Sequence, residues 1–241
     1  MKVKGVIAYD GSQFFGMEKQ PGLKTVQGEL ERALRRLGIV SKVEYSGRTD
    51  RGVHATGQVI SFEVPSYWEG NLPKLGRELT RHLRGEVVVK RLTPAPADFH
   101  PRFSAKWRSY RYLISPHLTP FNRLYLYHYP HPLEVEKLNR FAKLIEGEHD
   151  FRLFAKTGSN PSHYRRTIYL ARFYRWKGLV VFKIVGNGFL RGQVRLLVQF
   201  LLQMGEGKLG ERELLEQLEG KRLHLKLPAP PTGLYLTGVG F

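Results

Sequence analysis

The sequence predicts an α+β fold of two tandem β-α-β-β-α-β halves with mainly antiparallel sheets, and three observations carry that reading. Segments that alternate apolar and polar residues give way to helical spacing in the same order twice. Between the two rounds lie residues 93–102, with prolines at 94, 96 and 101, the composition of a linker. A chain of 241 residues that is 41% hydrophobic is long enough to bury a core without disulfide or metal staples.

In the first half, Lys2–Tyr9 alternates with Val3, Gly5, Ile7 and Tyr9 on one side, and Asp10-Gly11-Ser12 reads as a strand-ending turn. Thr25 is placed to cap a helix whose apolar face is Val26, Leu30, Ala33, Leu34 and Leu37, with Gly38 as its stop. Residues 42–46 read as a short strand and 56–64 as another, with Ile60, Phe62 and Val64 aligned. Leu72, Leu75, Leu79 and Leu83 then repeat at helical spacing, and 87–92 returns to strand.

In the second half, 106–115 is a strand, and Val135, Leu138, Phe141, Ala142 and Ile145 mark a helix ending near Gly147. Arg165–Trp176 and Leu179–Gly186 form a hairpin around Lys177-Gly178. Val194, Leu197, Val198, Leu201 and Leu202 mark a long helix. Leu214, Leu215 and Leu218 add a short one, and 234–239 closes as a strand. Each half has the order of a ferredoxin-like unit, so the expected domains are 1–104 and 105–241.

Charge narrows the partners. Thirty-nine bases against 21 acids leave a net charge of +18, which favours a polyanionic partner. Residues 151–205 contain no acid at all, yet carry ten lysines and arginines with aromatics interleaved, a pattern that suits nucleic acid. No basic amphipathic helix with a bulky apolar face is evident, so a membrane surface is disfavoured. No apolar run spans a bilayer and the N-terminus lacks a signal-like stretch, so the expected location is cytoplasmic. The absence of cysteine excludes thiolate metal sites, iron–sulfur clusters and a cysteine nucleophile. The histidines form no metal-binding spacing, and no glycine-rich phosphate loop occurs, so neither a metal nor a nucleotide cofactor is expected.

Only four aspartates are present, and Asp50 sits between two predicted strands in Gly47-Arg48-Thr49-Asp50-Arg51-Gly52-Val53-His54-Ala55. Two glycines let such a loop turn tightly. Flanking guanidiniums would keep its carboxylate ionised, as a nucleophile must be. Local chemistry equally accommodates an ordinary turn aspartate.

That segment closely resembles the Gly-Arg-Thr-Asp-x-Gly-Val-His-Ala signature of the TruA-type tRNA pseudouridine synthases. The resemblance continues in collinear order. It takes in Tyr9-Asp10-Gly11-Ser12 with Phe15-Gly16, Thr25-Val26-Gln27, Gly57-Gln58-Val59 with Phe62, and the run from Asp98 to Ala105. It goes on through Tyr110-Arg111-Tyr112, His149-Asp150-Phe151, Asn187 and Phe189 with Val194-Arg195, and Gly233-Leu234-Tyr235-Leu236. It implies two ferredoxin-like halves with sheets joined across a basic cleft, a homodimer, and no cofactor. The implied substrate is uridine at positions 38, 39 and 40 in the anticodon stem-loop of tRNA.

Residue by residue, the resemblance makes Asp50 the catalytic aspartate. Arg48 matches the arginine beside it, able to pair with it and then fill the space of the extruded base. Tyr110 matches a tyrosine that stacks on the target base, and Arg195 a second active-site arginine partnering Asp50 or phosphate. The plain structural roles would be core packing for Tyr110 and an exposed helix charge for Arg195. Arg165, Arg166 and Arg175, in the acid-free stretch, are the expected phosphate contacts. The chain departs from the family pattern at Met17, where tryptophan is usual, at Arg191-Gly192-Gln193, and at Thr80-Arg81-His82-Leu83-Arg84. The rival reading is a non-catalytic RNA-binding protein, which needs the same charge but not Asp50.

Overall fold

The computed structural model describes residues 1–158 and 161–241; residues 159 and 160 of the acid-free stretch lie outside the described residues. The fold is mixed α+β with a largely antiparallel strand arrangement, and the chain divides into two units. The first is Met1–Lys106 with Tyr235–Phe241, the second Trp107–Leu234.

In the first unit, β1 (Lys2–Tyr9) buries every second residue, as its alternation requires. It pairs antiparallel with β3 (His54–Glu63) on one side and β4 (Val87–Pro94) on the other. The far edge of β3 carries β2 (Glu44–Tyr45) antiparallel at Ser61 and Ile60. The same edge holds β10 (Leu234–Gly240) in parallel at His54 and Ala55. The closing strand, read from sequence with the second half, thus lies mostly with the first unit. Only two residues of the expected 42–46 strand enter the ladder.

Helix α1 (Val26–Arg36) starts where Thr25 accepts the Gly28 N–H at 3.3 Å. It buries Val26, Leu30, Ala33 and Leu34, and stops at Gly38, whose φ of +75° suits glycine. Helix α2 (Leu72–His82) lies on β4, with Gly76 opposite Val89 and Leu92.

In the second unit, β5 (Trp107–Ser115), β9 (Leu179–Gly186), β8 (Arg165–Trp176) and β7 (Gly147–Asp150) pair antiparallel in that order. The two-residue β6 (Tyr127–His128) runs parallel to β5. The β8–β9 hairpin turns on Lys177 and Gly178, at φ +47° and +78°, the paired positive φ values of a type I′ turn. A bulge between Ile168 and Leu170 shifts the β8 register. Ile168 is buried before it, and Ala171 and Phe173 after it. Helix α3 (Val135–Lys143) is fastened to β8 by Asn139, which donates to the Phe173 carbonyl and accepts its N–H. Helix α4 (Gln193–Gly205) is buried on nearly every face, and α5 (Glu211–Leu218) buries Leu214 and Leu218.

The Thr25 cap satisfies one of the orphan amides at the start of α1. Thr25→Ala should lower unfolding free energy by about 1 kcal/mol in denaturant titration, while Thr25→Ser retains most of it.

Candidate active site

Eight residues, 46–53, join β2 to β3 and carry Asp50. Their backbone is held from outside. Met17 N–H donates to the Thr49 carbonyl at 3.1 Å, and Gly52 N–H donates to the Gly11 carbonyl at 3.2 Å. Within the loop, Val53 N–H returns to the Asp50 carbonyl at 3.1 Å. Gly52, at φ +79°, takes the left-handed turn that this closure needs. The buried Thr49 hydroxyl is 2.8 Å from the Tyr9 hydroxyl. Below the loop, Gln58 accepts from Ser46 at 2.6 Å and donates to the Gly47 carbonyl at 2.9 Å. The peptide bearing Asp50 is therefore held by backbone bonds on both sides.

The clamp is the segment after β1. Asp10 caps a single 3₁₀ turn, Gly11–Gln13, by accepting from the Ser12 amide at 2.9 Å and its hydroxyl at 2.7 Å. Gly11 N–H reaches His54 Nδ1 at 3.1 Å. The His54 ring is buried and stacks on Tyr235 at 4.6 Å and 18°. A Cβ on Gly11 would stand 2.0 Å from the Val53 carbonyl oxygen, and one on Gly16, at φ +97°, 2.8 Å from that of Thr49. Sequence reasoning had Asp10-Gly11-Ser12 only as a turn. Its partners lie some forty residues downstream, beyond any local periodicity.

The two arginines flanking Asp50 are engaged elsewhere. Arg48 Nη2 is 2.6 Å from Glu18 Oε1. Burial alone would lower the Arg48 guanidinium, but the Tyr45 hydroxyl and Glu18 outweigh it and hold it above its ordinary value. Arg51 lies over the Phe15 ring at 4.4 Å. Met17, where the family pattern has tryptophan, is fully buried, and its backbone is the one bonded to Thr49.

The other expected site residues lie in the second unit. Tyr110, on β5, is 7% exposed and meets Phe189 edge-on at 5.1 Å. Arg195 is no exposed helix charge: it is 8% exposed, its Nε donates to the Ala229 carbonyl at 2.6 Å, and its own carbonyl accepts the Ala229 N–H. A buried guanidinium needs such acceptors to offset lost hydration. Just before it, Gly192 sits at φ +73° and Gln193 is fully buried, accepting the Leu190 N–H at 2.7 Å.

Arg165, Arg166 and Arg175 are not gathered at one place. Nine residues of β8 separate Arg166 from Arg175, about 30 Å at ~3.3 Å per residue. Arg165 is paired with Glu148 on β7 at 2.9 Å, so the acid-free stretch takes its counter-charge from just outside itself. Burial, then the nearby Arg108, depresses the Arg166 guanidinium. Arg175 donates to the Leu133 carbonyl at 3.0 Å. The cations that do stand together are Arg111, Lys183 and Arg172, in register across β5, β9 and β8. Like charges directly opposite in a sheet cost stability. Arg111 was not singled out from sequence, because the row forms only when three strands pair.

Comparison with known proteins adds independent evidence. The model of a family described as tRNA pseudouridine synthase matches residues 6–104 and 141–241. A tRNA pseudouridine synthase A of Wolinella succinogenes is 45% identical over 236 residues, covering 98% of this chain and 92% of that protein. One of Geobacillus sp. (strain WCH70) is 41% identical over 245 residues, covering 98% and 96%. A solved Cbf5-Nop10-Gar1 complex aligns at a TM-score of 0.46 and 14% identity, over 98% of this chain and 49% of that chain.

The close approach at Gly11 yields a direct test. Gly11→Ala forces Cβ against backbone that cannot yield cheaply, and should cost roughly 1–3 kcal/mol of stability. Gly70→Ala, where a Cβ meets nothing within 4 Å, should stay within about 0.5 kcal/mol of wild type. Denaturant unfolding of both variants measures the difference.

Proposed function

The chain belongs to the TruA-type tRNA pseudouridine synthase family, and from that premise we propose that it isomerises uridine at positions 38, 39 and 40 of the tRNA anticodon stem-loop, with Asp50 as nucleophile. The observation that supports Asp50 is the external clamp on its loop. Thr49 and Gly52 are tied to the segment after β1, which holds the backbone on both sides of Asp50. Pre-fixed geometry of this kind is what a nucleophile on a loop requires.

The chemistry balances without an added reagent. The bond from uracil N1 to the ribose C1′ breaks and a bond from C5 to C1′ forms. C5 loses its proton and N1 carries one at the end. Asp50 attacks sugar or base to release the nucleobase, which turns and rejoins through C5, and the bond to Asp50 then breaks to return the free carboxylate. No oxidation state changes, so the reading calls for no cofactor.

Supporting roles follow from the resemblance and from each residue's surroundings. Arg48, close to Asp50 in sequence, fills the space of an extruded base, for which it must first leave Glu18. Tyr110 stacks on the target uracil. Arg195, held by the Ala229 carbonyl, presents a fixed positive charge, and Arg165, Arg166 and Arg175 contact phosphates at separate points along β8. Residues 1–104 and 105–241 are on this reading the two ferredoxin-like halves. The working form is a cytoplasmic homodimer acting on tRNA.

Asparagine matches aspartate in shape but is a far poorer nucleophile. Asp50→Asn should abolish pseudouridine formation while tRNA affinity is kept or rises, since a negative charge leaves an RNA-binding surface. Pseudouridine yield, tRNA binding and thermal unfolding on one preparation decide it, and wild-type turnover in the folded variant would overturn the mechanism. A stacked ring is worth ~1–3 kcal/mol, so Tyr110→Ala should weaken substrate binding well beyond Tyr110→Phe. Equal wild-type activity in both would return Tyr110 to a packing role.

A further inference from the structure

Beside the Asp50 loop, the first unit carries a groove of about 690 Å³ between α1, residues 40–48 and residues 100–103. That volume falls within the ~300–1,000 Å³ of sites that enclose small-molecule-sized groups. Tyr45 and Arg48, which lead in the chain to Asp50, are among its lining residues.

Its charge is positive once pairing is counted. Three carboxylates line it, and each is engaged by a cation: Glu18 by Arg48 at 2.6 Å, Glu31 by Lys19 at 2.9 Å, and Glu44 by Lys2 at 3.7 Å. Arg35 and Lys42 also line it, and neither meets a carboxylate within 4.0 Å among the described residues. Two lysine or arginine charges therefore face the groove with no acid opposite.

An aromatic platform stands on the rim. Phe103 is 76% exposed, an unusual state for a phenyl ring that gains nothing from water. The turn beneath it is built to hold it there. Ser104 N–H donates to the His100 carbonyl at 2.9 Å, and Arg102 N–H donates to His100 Nδ1 at 3.1 Å. The His100 ring lies 4.4 Å from that of Phe103, and the Arg102 guanidinium is 5.5 Å from the ring centre. A rigid exposed aromatic next to unopposed cations is the pairing that unpaired nucleotides use, base on ring and phosphate on cation. An acidic peptide would use the cations but leave the platform idle.

We propose that this groove is a second RNA subsite, which takes an unpaired nucleotide neighbouring the target uridine, its base stacked on Phe103 and its phosphates on Arg35 and Lys42. The proposal rests on the reading of Asp50 as the site of uridine chemistry, because contiguity with that loop is what makes the occupant a neighbour in the same strand. It assigns a use to the Asp98–Ala105 motif, which the reaction itself leaves without one.

The test compares tRNA binding and pseudouridine kinetics for Phe103→Ala, Phe103→Trp and the double variant Arg35→Ala/Lys42→Ala, with thermal unfolding as the check on folding. Phe103→Ala should raise Kd and KM by about fivefold or more, as loss of one stacked base predicts, and Phe103→Trp should restore them. The double variant should flatten the dependence of log Kd on log salt by about 1.4, two single-strand phosphate contacts. Irradiating tRNA that carries 4-thiouridine on the wild-type protein should attach RNA to the peptide containing Phe103. Wild-type affinity and salt slope in all folded variants would overturn the subsite, as would binding of inorganic phosphate alone with tRNA affinity unmoved. A wild-type protein that binds tRNA yet makes no pseudouridine would instead remove the Asp50 reading, and the same binding ratios would still decide the groove.

Discussion

The contact between Gly11 and Val53 is the constraint on which the proposed chemistry depends. Two backbones approach there so closely that a single added carbon would stand 2.0 Å from a carbonyl oxygen. That approach places the Gly11 carbonyl for the Gly52 amide and the Gly11 amide for His54. A few residues on, Gly16 and Met17 do the same for Thr49. Asp50 thus lies between two backbone fastenings, beside the stacked His54 and Tyr235 rings. A side chain carried on a backbone fastened on both sides is positioned in advance.

Charge in this protein is arranged by pairing in space more than by composition along the chain. The acid-free stretch draws Glu148 and Asp150 from β7, next to it in the sheet, to engage Arg165 and Arg152. Arg111, Lys183 and Arg172 are instead left side by side across three strands. Burial of Arg195 and partial burial of Arg166 show two further treatments, one guanidinium satisfied by a carbonyl and one depressed by lost solvent. The run of bases therefore contained Arg172 and Lys183, but it could not show that Arg111, from another segment, stands in line with them.

Local signals were legible and long-range ones were not. The Lys177-Gly178 hairpin, the Thr25 cap and the β1 alternation all rest on neighbours within a few residues, and they stand where periodicity put them. β6 and β7 went unseen because two to four residues show no period, and only the ladder with β5 and β8 makes them strands. β3 was read from Ile60, Phe62 and Val64 and stands at His54–Glu63, two residues earlier at its start, where both faces are buried. The Asp50 loop was legible as a turn from its glycines, whereas its role came from resemblance. The clamp on it was invisible, since Gly11 and His54 meet only after the strands pair. Arg195 could not be placed from its helix pattern, because α4 is buried almost all round and offers no polar face to read.

The bulge in β8 separates two kinds of evolutionary freedom. Upstream of it Ile168 faces inward, and downstream the inward set is Ala171 and Phe173, so the strand changes parity midway. Substitutions along this strand can be exchanged one at a time, each judged by the space around it. Losing the extra residue at the bulge is a different event from losing one beyond it: the first restores plain alternation and leaves Ala171 and Phe173 facing inward opposite the same β9 partners, whereas the second turns every later side chain over together. Drift in this segment is thus free to explore the alphabet, and the count can change at the bulge, but elsewhere along the strand an insertion or deletion amounts to reversing a whole surface at once.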